Sequence, residues 1–183
     1  DHYAERAKGG VGLIFVEGSY FTAEGRGYVR QVGLVSRIQV AGLKRLTNAV
    51  HRLKNETRIF LQIHHAGGRA SSKVTGVQPV APSAIPAYPG AEMPRALTRK
   101  EIIGLVESHV EAASRAADAG FDGVDIHCAH GYLIPSFFSA RTNRRTDEYG
   151  GDLIGRSRFL VEIIRGIRTR IGEDFPLTIK ISG

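Results

Sequence analysis

Two imidazoles and a phenol fall within six residues of one another: His127, His130 and Tyr132, in the stretch Val124-Asp125-Ile126-His127-Cys128-Ala129-His130-Gly131-Tyr132-Leu133. A pair of imidazoles can donate hydrogen bonds to a carbonyl or phenolate oxygen as negative charge builds there, and a nearby phenol can deliver a proton. Together these amount to acid catalysis of a reduction. His-x-x-His also suits zinc, with His64 and Asp125 as further ligands to recruit, but His-Glu-x-x-His is absent and zinc catalysis wants a third protein ligand. A histidine standing alone is more often a satisfied core or surface group. Cys128, between the two histidines, reads as a small buried thiol rather than a nucleophile.

For these groups to converge, the backbone must deliver them to one place. Four short apolar runs read as strands: Val11–Val16, Arg58–His64, Gly123–His127 and Leu177–Ser182. Helical periodicity separates them, over Val40–Lys54, Arg99–Ala119 and Leu153–Ile171. Ser36-x-x-Gln39 and Thr98-x-x-Glu101 are capping-box patterns, and Gly120 is a natural stop. Strand and helix in alternation require parallel strands, in a barrel or an open doubly wound sheet. Strand parity favours the barrel. Ile59, Leu61 and Ile63 oppose Phe60, Gln62 and His64; Leu177, Ile179 and Ile181 oppose Thr178, Lys180 and Ser182. An open sheet, covered on both faces, would be apolar throughout, whereas a barrel turns polar residues towards its axis and mouth. The expected fold class is therefore α/β, a TIM (β/α)8 barrel present as about four βα units, with long loops at Phe21–Ser36 and Gly67–Pro94 on the active-site side.

The 183 residues suit one domain, and 42% apolar with 23% charged residues is ordinary for a folded protein. The formal charge of +7 is spread among acids without basic runs interleaved with aromatics, so no nucleic-acid partner is expected. The single cysteine excludes an internal disulfide framework, and no apolar run reaches the ~18 residues of a membrane helix. The expectation is a cytoplasmic location, without membrane partners and with the oligomeric state open, a homo-oligomer included. Gly9-Gly10-Val11-Gly12 precedes a strand instead of opening a helix, and is no dinucleotide fingerprint.

The segment from Val124 to Leu133, followed by Asn143-Arg144-Arg145-Thr146-Asp147-Glu148-Tyr149-Gly150-Gly151, resembles the signature of the old yellow enzyme family, the FMN-dependent NADH:flavin oxidoreductases and ene reductases. The resemblance runs along the whole chain. It implies one partial FMN-binding barrel domain over residues 1–183, holding the second to fifth strands with both ends truncated. It implies FMN as cofactor, NADH or NADPH as reductant and a small-molecule activated alkene as substrate, the hydride reaching the β-carbon while Tyr132 protonates the α-carbon. His127 and His130 fall on the family's substrate-oxygen pair, and no metal is called for.

The same resemblance places three residues at the flavin. Gln62, in Gln62-Ile63-His64-His65-Ala66-Gly67-Gly68-Arg69, matches the glutamine whose amide pairs with the pyrimidine edge. One glycine more than the family pattern separates His65 from Arg69. Lys180 matches a cation near N1 and O2, and Gly18, in Glu17-Gly18-Ser19, the small residue that lets backbone approach the ring. The Asn143–Gly151 segment is read as architectural, with Asp152 capping the next helix. Two alternatives stay open: a 2,4-dienoyl-CoA or enoate reductase of the longer iron–sulfur branch, and a non-catalytic truncated half-barrel.

Overall fold

A computed structural model describes residues 2–182. In chain order the elements are α1 (His2–Lys8), β1 (Leu13–Tyr20), α2 (Arg37–His51), β2 (Arg58–His64), α3 (Ser72–Thr75), β3 (Val80–Ala81), β4 (Arg95–Ala96), α4 (Arg99–Asp118), β5 (Gly123–Cys128), α5 (Leu133–Phe138), α6 (Leu153–Ile171) and β6 (Leu177–Ile181). The main sheet has the order β1-β2-β5-β6, all parallel. Its strands follow one another in space as they do in sequence, without the reversal of order that marks a doubly wound sheet.

Parity decides what each face does. Ile59, Leu61 and Ile63 of β2 and Val124 and Ile126 of β5 are buried in one core with Leu43 and Val50 of α2, Ile102 and Val110 of α4 and Ile163 of α6. The opposite face carries Leu13 and Phe15 of β1, 41% and 45% exposed, and Phe15 meets Phe60 edge-on at 5.6 Å. Gly123 is needed below Phe60, because a Cβ there would lie 2.5 Å from the ring. Ile179 and Ile181 have the parity expected of them yet are exposed, since among the described residues no helix covers β6.

The helices begin where their caps dictate. Ser36 accepts from the Gln39 N–H, and Gln39 returns a bond to the Ser36 N–H, so α2 starts at Arg37 rather than at Val40. It ends at His51 instead of Lys54, because Lys54 takes a positive φ of 53°. The Thr98–Glu101 box starts α4, and Asp152 caps α6 through the Gly155 N–H at 2.9 Å. The first strand also departs from the expected Val11–Val16. Val11 and Gly12 precede the ladder, which then runs on to Tyr20 through a bulge in which Glu17 and Gly18 stand opposite Gln62 alone. β3, β4 and α5 were not legible as elements; the first two are a two-residue pair that closes the long loop over Pro82–Pro94.

Candidate active site

All strands run the same way, so their carboxyl ends share one mouth. Below it, register sets Gln62 beside Asp125 and Asp125 beside Thr178. Gln62 Nε2 donates to Asp125 Oδ2 at 2.7 Å and Thr178 Oγ1 donates to Oδ1 at 2.7 Å. This row engages both carboxylate oxygens of Asp125 with donors from the two neighbouring strands. It also fixes the Gln62 amide, whose nitrogen faces Asp125. Its oxygen faces Gly18, where a Cβ would come within 3.3 Å of Gln62 Oε1 and of the His64 side chain. One step further up, His127 pairs with Lys180.

Above this row the rings gather. The His127 ring lies 5.2 Å from those of His64, His130 and Tyr132, and Tyr132 meets His64 edge-on at 4.4 Å. The turn that lifts them out of the sheet is strained at His130, whose φ is 61°, whereas Gly131 takes its 69° freely. The His130 N–H is held by Ser182 Oγ at 3.1 Å, which ties the turn to the end of β6. Tyr132 is the residue just before α5, whose Leu133, Ile134 and Phe137 are buried, so the phenol sits at the root of an anchored helix. Gly18, Gln62, His127, His130, Tyr132 and Lys180, the residues singled out from sequence, thus lie at one end of the sheet.

The electrostatics make His127 a hydrogen-bonding group rather than an acid. Burial, then the neighbouring His130 and Lys180, lower its pKa to about 4, against the opposing pull of Asp125. Its Nδ1 is buried without a partner among the described residues. Burial and the charges of His127 and His109 lower His64 to about 3. Both rings are therefore neutral at neutral pH, and each offers one N–H and one lone pair. Burial pushes the Cys128 thiol up to about 12, in keeping with an inert core residue.

Two contributors escaped the sequence reading. Arg69 lies over the Tyr132 ring at 5.5 Å and the Tyr88 ring at 5.1 Å, a cation between two aromatic faces. The extra glycine near it is structural: Gly67 has a φ of 58°, and a Cβ there would lie 2.8 Å from Leu133 Cα. Gln31, from the loop after β1, reaches Gly18, Gly27 and His64. The signal for Arg69 was its place after Gln62; for Gln31 there was none, because only tertiary folding brings the loop back. Among the described residues no three His, Cys, Asp or Glu side chains are grouped to hold a metal ion, and no helix is long and apolar enough to cross a membrane.

The family model for the NADH:flavin oxidoreductase / NADH oxidase family matches residues 1–183. The chain belongs to this family. It is 45% identical to an NADH oxidase of Thermoanaerobacter brockii over 100% of this chain and 28% of that protein. An NADPH dehydrogenase of Clostridium acetobutylicum is 38% identical over 99% of this chain and 52% of its own length. Among solved structures, the old yellow enzyme homologue from Zymomonas mobilis superposes with a TM-score of 0.90 at 39% identity, covering 98% of this chain and 52% of the other. The chain thus spans about half, or less, of the relatives it matches, and its fold is a four-stranded portion of their TIM barrel.

Proposed function

We propose that this chain supplies the substrate face and part of the flavin cradle of an FMN-dependent oxidoreductase, which passes hydride from NADH or NADPH to an activated C=C bond of an enone, enoate or similar small molecule. Residues 1–183 would form a partial FMN-binding barrel domain containing its second to fifth strands. The observation that carries this reading is the gathering of His127, His130 and Tyr132 above a face where Gly18, Gln62 and Lys180 lie at neighbouring strand ends.

The residues fit the group. Gly18 leaves space that a Cβ would fill, Gln62 Oε1 and its second amide hydrogen are free of Asp125, and Lys180 makes no ion pair among the described residues. Gly18, Gln62 and Lys180 would hold FMN; bound there, it supplies the hydride. The remaining chemistry belongs to the chain. His127 and His130 hold the carbonyl or nitro oxygen, and neutral His127 does so by donating its single N–H. Tyr132 keeps the proton at its phenolic oxygen and delivers it to the α-carbon, and its contribution is the position of that proton.

The test is full-length protein: a flavin absorbance band, its bleaching by NADH or NADPH under anaerobic conditions, and its recovery on adding an enone. Protein that neither carries flavin nor takes it up ends the reading. A second reading, a longer reductase of the 2,4-dienoyl-CoA or enoate type with an iron–sulfur module downstream, is favoured by one observation: the chain covers only 28% of the NADH oxidase. Iron and sulfide analysis of the same sample distinguishes the two.

A further inference from the structure

A third imidazole faces the same space as His127 and His130, and its proton is fixed by the fold. His64 ends β2 with its side chain buried. Against it lies Gln31, whose amide has a single orientation: Oε1 accepts from the Gly27 N–H at 2.7 Å, and Nε2 donates to the Gly18 carbonyl at 2.7 Å. The second hydrogen of Nε2 meets His64 Nδ1 at 3.0 Å. An amide nitrogen cannot accept, so Nδ1 carries the lone pair and Nε2 the proton. Burial keeps this ring from taking a second proton near neutral pH. Nε2 makes no hydrogen bond within the protein among the described residues, while the ring lies beside Tyr132 and His127. A donor held in one tautomer by a backbone-anchored amide, and left without an acceptor at a mouth lined by the reacting groups, suits a ligand atom.

We propose that His64 is a third substrate-facing donor: its Nε2–H binds a second acceptor oxygen while His127 and His130 hold the first, so that the site favours ene-dicarbonyl substrates such as cyclic imides over mono-carbonyl enones. Gln31 is the positioning residue that sets the tautomer. The inference rests on the oxidoreductase reading above and narrows its substrate class.

The test uses full-length flavoprotein with 2-methylmaleimide and 2-cyclohexenone as paired alkenes. His64→Phe keeps a ring and loses the donor; kcat/KM should fall roughly tenfold for the maleimide and under about threefold for the enone. Imidazole 15N shifts should show wild-type His64 protonated at Nε2 alone between about pH 5.5 and 8. Gln31→Glu, which sets a carboxylate against Nδ1, should place a proton there and weaken the maleimide preference. Equal losses on both alkenes, or a proton on Nδ1 in the wild type, overturn the proposal. Turnover of neither alkene by the wild-type protein overturns the oxidoreductase reading beneath it; turnover of both with equal losses overturns only the role of His64.

Discussion

Two polar segments follow β5, and the molecule treats them in opposite ways. In Asn143–Gly151 the inward polar groups are matched. Arg145 donates to the Pro82 and Leu97 carbonyls at 2.9 and 2.5 Å and grips Asp147, while Asn143 Nδ2 donates to the Phe137 and Tyr149 carbonyls at 2.8 Å each. This fastens the end of α5 to the loop between β2 and α4. In His127–Tyr132, by contrast, His127 Nδ1 is buried and unmatched, and His130 holds a backbone conformation that a non-glycine residue resists. Satisfied polar groups fit a scaffold role for the first segment, and the strained and unmatched ones at the mouth fit the chemistry proposed for the second. Motif density alone would have ranked the two segments together.

Substitutions sharpen this contrast. The largest effect is expected at Tyr132: in full-length protein, Tyr132→Phe should slow the transfer of hydride equivalents to an enone by roughly 10²- to 10⁴-fold while leaving reduction by NADH or NADPH intact, as read by stopped-flow absorbance. Unchanged oxidative rates would assign the proton to another acid. His127→Ala should cost about 2–4 kcal/mol of transition-state stabilisation, seen in kcat/KM, without loss of bound flavin. Should a stoichiometric metal disappear instead, the metal alternative returns.

On the scaffold side, Arg145→Ala should behave in the reverse manner. It strands two carbonyls and one carboxylate, so thermal unfolding should reveal a loss of about 2–3 kcal/mol, with kcat nearly unchanged below the transition. A large fall in kcat at full folding would erase the distinction between the segments.

The smallest effect near neutrality is that of pH. His64, His109 and His127 have folded pKa values of about 3, 4 and 4, below the 6.5 of an unperturbed imidazole, mainly through burial. The unfolded chain therefore binds protons that the folded chain refuses. Stability is fully present above about pH 6.5, declines as pH falls through that value, and levels off near pH 4 for His109 and His127. Urea midpoints across this range should drift downwards on acidification; a flat profile would mean that the rings are solvated.

Much of this was legible because it obeys short periods. The alternation in Arg58–His64 separated core from mouth, and two capping boxes located α2 and α4 within the few residues that the pattern allows. What stayed hidden depends on the return of distant chain. Gln31 lies in a loop without periodicity, and its role exists only because that loop folds back on β2. The length of β1 was underread for a different reason: Glu17 and Gly18 interrupt the apolar signal at the bulge, so the strand looked finished where it was only changing pace. Arg69 was displaced from the family spacing by one glycine, and the turn absorbs that residue.

The bulge has a further meaning for how this barrel can change over time. Val16 stays in step with Leu61 and Ser19 with Ile63, whichever of Glu17 and Gly18 is regarded as surplus. The strand would therefore remain in frame, inside and outside unaltered, if one of the two were deleted. The strand ladder exerts no claim on the surplus residue, although the Glu17 carboxylate accepts from the Tyr3 hydroxyl and the Gly18 carbonyl from Gln31, and Gly18 sits where backbone, Gln62 and His64 meet. A lineage could lose or regain that position with the strand still in register, so the face proposed to hold the cofactor can be rewritten while the core keeps its grammar.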